Sequence, residues 1–154
     1  MEKANKRERA ERHQAQTSNQ GKLIIWQWNC RGFHKKKAIL QQHIGHTTDK
    51  PDILIIQETN TDTPTLPVYE AIAVPLTKGC SGVASFVSNR LAWAETDRSK
   101  PNSKCDHLLI EVFPRGKKTK SILALNMYSS PNHKTQIFKR LLKRARDKAG
   151  DNSH

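Results

Sequence analysis

Long apolar runs are missing from this 154-residue sequence. No stretch approaches the roughly 20 residues that a membrane-spanning helix needs. Residues 1–21, MEKANKRERAERHQAQTSNQG, hold no large apolar side chain after Met1, so there is no apolar core of a signal peptide and nothing with which to bury the segment. Cysteine is scarce as well. Cys30, Cys80 and Cys105 are an odd count, widely spaced and without a C-x-x-C pair, which excludes a disulfide framework and a structural zinc site and leaves three reduced thiols. His43 and His46 could share a helix face at i,i+3 and hold a metal, although a surface pair at a helix end is the simpler reading. Acidic residues are the other shortage: 14 Asp and Glu stand against 27 Lys and Arg, a formal charge of +13. That excess points to a polyanionic partner without choosing among DNA, RNA and an anionic membrane surface. A soluble, intracellular protein is the expectation.

What remains is enough for one domain with a single core and little to spare. Hydrophobic residues make up 35% and the mean hydropathy is −0.76, but the polarity is concentrated at the two ends. The expected organisation is a disordered basic tail over 1–21, a domain over 22–149 and a short tail over 150–154. From Lys22 the pattern changes to short apolar runs rich in β-branched residues, the signature of strands. Lys22 to Asn29 and Asp52 to Gln57 are continuous enough to predict strands buried on both faces. Between them, Lys35 to Ile44 predicts a short amphipathic helix. Further strands are expected at Tyr69 to Val74, Gly82 to Ser88, Leu91 to Glu95, Leu108 to Phe113 and Ser121 to Tyr128, with a hairpin turn at PRGKK between the last two. His133 to Ala149 places Ile137, Phe138, Leu141, Leu142 and Ala145 at helical spacing among Lys and Arg, a basic amphipathic helix.

Strand, helix, strand at this separation is a βαβ unit, whose strands run parallel. Parallel strands share a carboxyl rim, and ligands of open α/β sheets bind there. Asn29 and Glu58 fall at that rim. Glu58 is a hard anionic oxygen suited to Mg²⁺, which prefers one or two carboxylates with water and phosphate. Asn29 can steady an acidic neighbour without adding charge. The plainer alternatives are a solvated strand-end carboxylate and a turn residue. Tyr128 closes a later strand, where its hydroxyl could bond a phosphate oxygen or its ring could simply pack at a loop.

WNCRG, then PDILIIQET after a short helix, then LNMYSSP leading into a helix resembles the amino-terminal half of the endonuclease/exonuclease/phosphatase family, in particular the endonuclease domain of non-LTR retrotransposons. GCSGVASFVSNRL resembles the Gly-rich strand pair of those domains. The resemblance runs from about Lys22 to Ala145. It implies an α+β fold, a two-sheet β-sandwich flanked by helices, of which this is the first half. It also implies Mg²⁺- or Mn²⁺-assisted phosphodiester hydrolysis, with nicking of target DNA as the family reaction. Glu58 would then be the metal ligand, Asn29 would support the metal and the attacking-water region, and Tyr128 would contact the scissile phosphate. DNA would be the partner, with element RNA a second, in the nucleus where chromosomal DNA is the target.

The family also carries a strand into G-D-F-N and an S-D-H-type triplet. Neither is here. AGDNSH at 149–154 follows KRARDKA, which is not a buried strand, so its Asp and His are a coincidental match. Hydrolysis needs groups that handle the water and the leaving oxygen, so the expectation is a truncated, catalytically incomplete endonuclease domain with the metal weakly held. A basic nucleic-acid-binding module without catalysis, or a small-molecule or lipid phosphatase of the same fold, are the alternatives. The charge alone generates one expected outcome. Affinity for mixed-sequence DNA should fall steeply between roughly 50 and 200 mM salt, because each phosphate contact releases counterions. Fluorescence anisotropy would check it, and equal affinity at both salts would exclude electrostatic binding.

Overall fold

The computed structural model describes residues 22–76, 81–101, 103–115, 120–130 and 135–151. In chain order these form β1 (Ile25–Asn29), α1 (Phe33–His46), β2 (Ile53–Gln57), β3 (Tyr69–Ala73), β4 (Val83–Ser88), β5 (Ala92–Arg98), β6 (Cys105–Phe113), β7 (Ile122–Ser129) and α2 (Gln136–Asp151). The first four strands make one sheet in the order β1-β2-β4-β3, and the last three make a second in the order β5-β6-β7. β1 lies parallel to β2, with Asn29 opposite Gln57, and every other pairing is antiparallel. The fold is an α+β two-sheet sandwich with a helix against the first sheet and a second helix following β7, as the sequence predicts.

Side chains alternate across a strand, and β2 and β4 use both faces. Leu54, Ile56, Ala84 and Phe86 pack outward with Phe33, Leu40 and Ile44 of α1. Ile53, Val83 and Val87 pack inward against Leu108, Ile110, Val112 and Ala124 of the second sheet. Phe33 and Phe86 stack with centroids 5.4 Å apart, which fixes the start of α1. That contact explains why the helix begins two residues before the predicted Lys35.

Four sequence expectations need correction. β1 is apolar but not buried on both faces, because it is an edge strand and the second sheet does not extend beneath it; Ile25 is 44% exposed. β5 continues past the expected end at Glu95 to Arg98, because a bulge between Glu95 and Asp97 lets Asp97 and Arg98 keep pairing with β6 although strand propensity disfavours Asp. β6 likewise starts at Cys105 and not Leu108, since its pairing with β7 runs on through Asp106 and His107. Leu142, read as part of the apolar stripe of the last helix, faces solvent, while Leu141 is the buried residue of α2. The tail over 1–21, Cys80, Gly116 to Lys118 of the expected PRGKK turn, His133 and Lys134 of the expected last helix and residues 152–154 lie outside the described residues. Cys30 and Cys105 are buried. No helix among the described residues is long and apolar enough to cross a membrane.

One side chain ties the two sheets together at their centre. Asn126 of β7 is fully buried, and its Nδ2 donates to the carbonyls of Ile56 (3.1 Å) and Ala84 (2.9 Å), with Ser85 Oγ at 3.4 Å. Its Oδ1 accepts from Gln57 Nε2 at 2.8 Å, and Gln57 in turn accepts from Gln27 Nε2. A buried polar atom that loses its partner costs about 1–3 kcal/mol, and several would lose theirs together. Asn126→Ala should therefore lower unfolding stability by about 3 kcal/mol, measured in urea. Asn126→Leu, which restores volume and not the bonds, should recover little of it. Full recovery by Leu would mean that packing and not hydrogen bonding holds the sheets at this point.

Candidate functional site

The rim at the carboxyl ends of β1 and β2 is built on the amide row beneath it. Gln27, Gln57 and Asn126 are linked side chain to side chain, and the polar residues above them are Asn29, Glu58 and Tyr128. Asn29 lies two residues beyond Gln27 on the same face of β1, and Tyr128 two beyond Asn126 on the same face of β7. Glu58 follows Gln57 directly. Its φ of 53° is left-handed, which turns the chain at the strand end and lifts the carboxylate onto the rim.

Four more residues near the rim share positive φ: Arg31 at 49°, Gly32 at 109°, Asn60 at 51° and Gly82 at 82°. Such conformations are strained for residues with a Cβ and persist where the surroundings over-determine them. Here successive backbone bonds do so. Cys30, Gly32 and Phe33 N–H donate to the carbonyls of Gln57, Glu58 and Thr59, while Thr59 and Asn60 N–H donate to those of Gly82 and Ser81. Gly82 cannot be replaced cheaply, since a Cβ there would stand 2.6 Å from Leu76 Cδ2 and from Thr59 Oγ1. The buried Asp106 carboxylate, opposite Tyr128 in the β6–β7 register, accepts from Gly82 N–H at 3.1 Å and holds that turn.

Asn29, Glu58 and Tyr128 meet. Asn29 Nδ2 donates to Glu58 Oε1 at 2.8 Å. That bond, joined by one from the Tyr128 hydroxyl and by the Arg31 charge, holds the Glu58 carboxyl below its ordinary value of 4.5 against a smaller opposing effect of burial. Tyr128 moves the other way. Its bond to Glu58 first, then burial and the Glu58 charge, push the phenol above 10.0, with the Ser81 side chain and Arg31 pulling back. The site therefore offers a carboxylate ionised well into acid and a phenol that stays protonated as a donor.

The other sequence candidates do not join this rim. His43 and His46 sit in the last turn of α1, and no group of three or more His, Cys, Asp or Glu able to hold a metal is found among the described residues. α2 commits part of its charge to structure. Arg144 Nη1 donates to Asp97 Oδ2 at 2.8 Å, His107 Nε2 approaches the same oxygen at 3.2 Å, and Lys148 Nζ donates to Thr96 O at 3.2 Å. Burial pushes the Asp97 carboxyl up, but Arg144 and His107 outweigh it and the net direction is down. Sequence reasoning missed Gln27, Gln57, Asn126, Asp106 and Arg31. For the amides the signal was available: a polar residue inside an otherwise apolar strand needs a partner if it is buried.

Because Asn29 is the first cause of the lowered Glu58 value, Asn29→Ala should move the carboxyl up toward 4.5. A depressed folded-state value contributes stability above the unfolded value, lost as pH falls through the folded one. In Asn29→Ala the acid limb of the stability curve from this group should therefore flatten below about pH 4.5. Carboxyl ¹³C NMR titration checks the shift directly, and an unchanged Glu58 titration would release Asn29 from this role.

The sequence matches no family model and no curated protein. Among solved structures the chain is similar to the endonuclease domain of TRAS1, a telomere-specific non-LTR retrotransposon, with a TM-score of 0.58 and 18% identity. The match covers 79% of this chain and 52% of that one, so the chain spans about half the length of that domain. At this identity the likeness is one of fold.

Proposed function

We propose that the chain carries the first half of a metal-assisted phosphodiesterase site acting on DNA, of the endonuclease/exonuclease/phosphatase type found in non-LTR retrotransposons. The observation that carries this reading is the contact set of Asn29, an ionised Glu58 and a protonated Tyr128 at one strand rim. Its support is the formal charge of +13 and the fold shared with a retrotransposon endonuclease domain.

Glu58, with Asn29 beside it, would hold Mg²⁺ or Mn²⁺. One hard carboxylate oxygen and an amide fit an ion that keeps most of its waters and is held weakly. When bound, the ion would neutralise charge on a phosphate oxygen. The chain's own residues orient the rest. Asn29 fixes the Glu58 carboxylate through Nδ2, and Tyr128, kept protonated, can donate to a phosphate oxygen. The contact set contains no His and no second carboxylate to take a proton from water or give one to the leaving oxygen. General acid–base help contributes about 10²–10⁴-fold, so the 154-residue chain should hydrolyse DNA slowly or not at all. A second reading, DNA binding without catalysis, draws on the exposed Lys139, Arg140, Lys143 and Arg146 of α2.

Mn²⁺ titration should show weak binding by the wild-type chain that Glu58→Gln removes. Nicking of supercoiled plasmid with saturating metal should stay near background, with Glu58→Ala as the contamination control. Identical metal binding by wild type and Glu58→Gln would take Glu58 out of the site. Metal-dependent nicking that vanishes in Glu58→Ala would show that the site is catalytically complete.

A further inference from the structure

Among the described residues of the rim, Arg31 is a cation that enters none of the structure's ion pairs. Arg31 is exposed and follows Asn29 by two residues. Its φ of 49° is a conformation that Gly or Asn adopts more readily. The backbone on both sides is pinned, with Cys30 N–H to Gln57 O at 3.0 Å, Gly32 N–H to Glu58 O at 2.8 Å and Phe33 N–H to Thr59 O at 2.9 Å. Arg31 thus leaves the chain in a fixed direction at the edge of the site. Left-handed residues surround it, Glu58 and Asn60 among them, and Asn60 Nδ2 reaches to 4.0 Å from where a Cβ on Gly32 would stand.

Among the described residues Arg31 enters no ion pair; the pairs present involve Arg90, Arg98, His107 and Arg144. Yet it is close enough for its charge to act on both Glu58 and Tyr128. Glu58 is already taken by hydrogen bonds from Asn29 and Tyr128. The guanidinium is left with five N–H donors beside a carboxylate that other groups have occupied. A planar fork of donors in that setting matches a tetrahedral oxyanion, which accepts two parallel hydrogen bonds from Arg and one point contact from Lys.

We propose that Arg31 is the phosphate-binding residue of this rim, its guanidinium taking the non-bridging oxygens of a DNA phosphodiester presented to Glu58 and Tyr128. The proposal rests on the phosphodiesterase reading above and adds to it the group that would place the phosphate. It makes Arg31 a binding residue and assigns it no proton transfer.

The test uses the full 154-residue chain, a mixed-sequence DNA duplex followed by fluorescence anisotropy across salt, and inorganic phosphate followed by NMR at the Arg31 Nε–H, assigned by its loss in Arg31→Lys. Arg31→Gln should reduce the slope of log affinity against log salt by about one and weaken binding about eightfold at roughly 0.1 M salt, the value of one released counterion. Arg31→Lys should keep most of the slope and lose part of the affinity. Lys22→Gln, the same change of charge at the opposite end of β1, should leave both close to wild type. No loss in Arg31→Gln, or an equal loss in Lys22→Gln, would overturn the assignment while leaving DNA binding intact. If the chain binds no duplex but the Arg31 signal moves saturably with phosphate, Arg31 stands and DNA as the ligand falls. If neither duplex nor phosphate is bound at Arg31, the proposal falls together with the reading beneath it.

Discussion

The side-chain amide of Asn126 is the point at which two independently hydrogen-bonded sheets become one domain. Sheets packed face to face are held by apolar contact, which resists separation but resists sliding only weakly, because it is not directional. A buried amide bonded to Ile56, Ala84 and Gln57 is directional. It sets where β7 sits along β2 and β4, and through that it sets the approach of Tyr128 to Glu58. A displacement of even one ångström between the sheets would break those bonds and open the rim. The geometry above the amide row is thus inherited from a bond one layer below it.

How much of this was legible in the sequence depends on whether the cause was local. β2 and β4 were recognisable because a run such as ILII has to be covered on both faces wherever it lies. β1 looked the same from within, and its exposure is set by what stands beside it, which no local pattern records. β5 was cut short because its apolar pattern ends at Ala94 and Asp97 is a poor strand residue, kept in the strand by pairing with β6 across a bulge and by contacts from α2. At the rim, Asn29 and Glu58 followed from the parallel βαβ rule alone. Tyr128 did not. Its meeting with them needs β7 to lie in the other sheet with its inner face toward β2, a matter of topology that only the likeness to known domains pointed to. Arg31 was passed over as part of a turn, since neither its left-handed backbone nor the pinning carbonyls leave a trace in residue type.

Among the described residues, the positive charge on α2 and at the rim is under different constraints. On α2, Arg144 and Lys148 anchor the helix to β5, so changing them would disturb packing as well as potential. Lys139, Arg140, Lys143 and Arg146 carry no such duty among the contacts described. The rim is different again. Its cation and carboxylate lie on turns tied down by successive backbone hydrogen bonds and its phenol on strand β7, so all three behave as part of the scaffold. A ligand arriving there meets groups already in place and has little ordering to drive.

The chain completes one sheet, β1 to β4, before it begins the other. α1 and the first sheet can therefore assemble from neighbouring sequence, with the outer core closed around Phe33 and Phe86. Ile53, Val83 and Val87 on the opposite face remain wetted until β6 and β7 arrive. The bonds from Asn126 back to Ile56 and Gln57 join residues 70 and 69 positions apart, a separation that places them among the slowest contacts to form. During synthesis the ribosome must release the chain through β7 before the rim acquires its third member. Until then Asn29 and Glu58 exist as a pair on a half-covered sheet, and the moment of sheet closure is also the moment at which the site first takes shape.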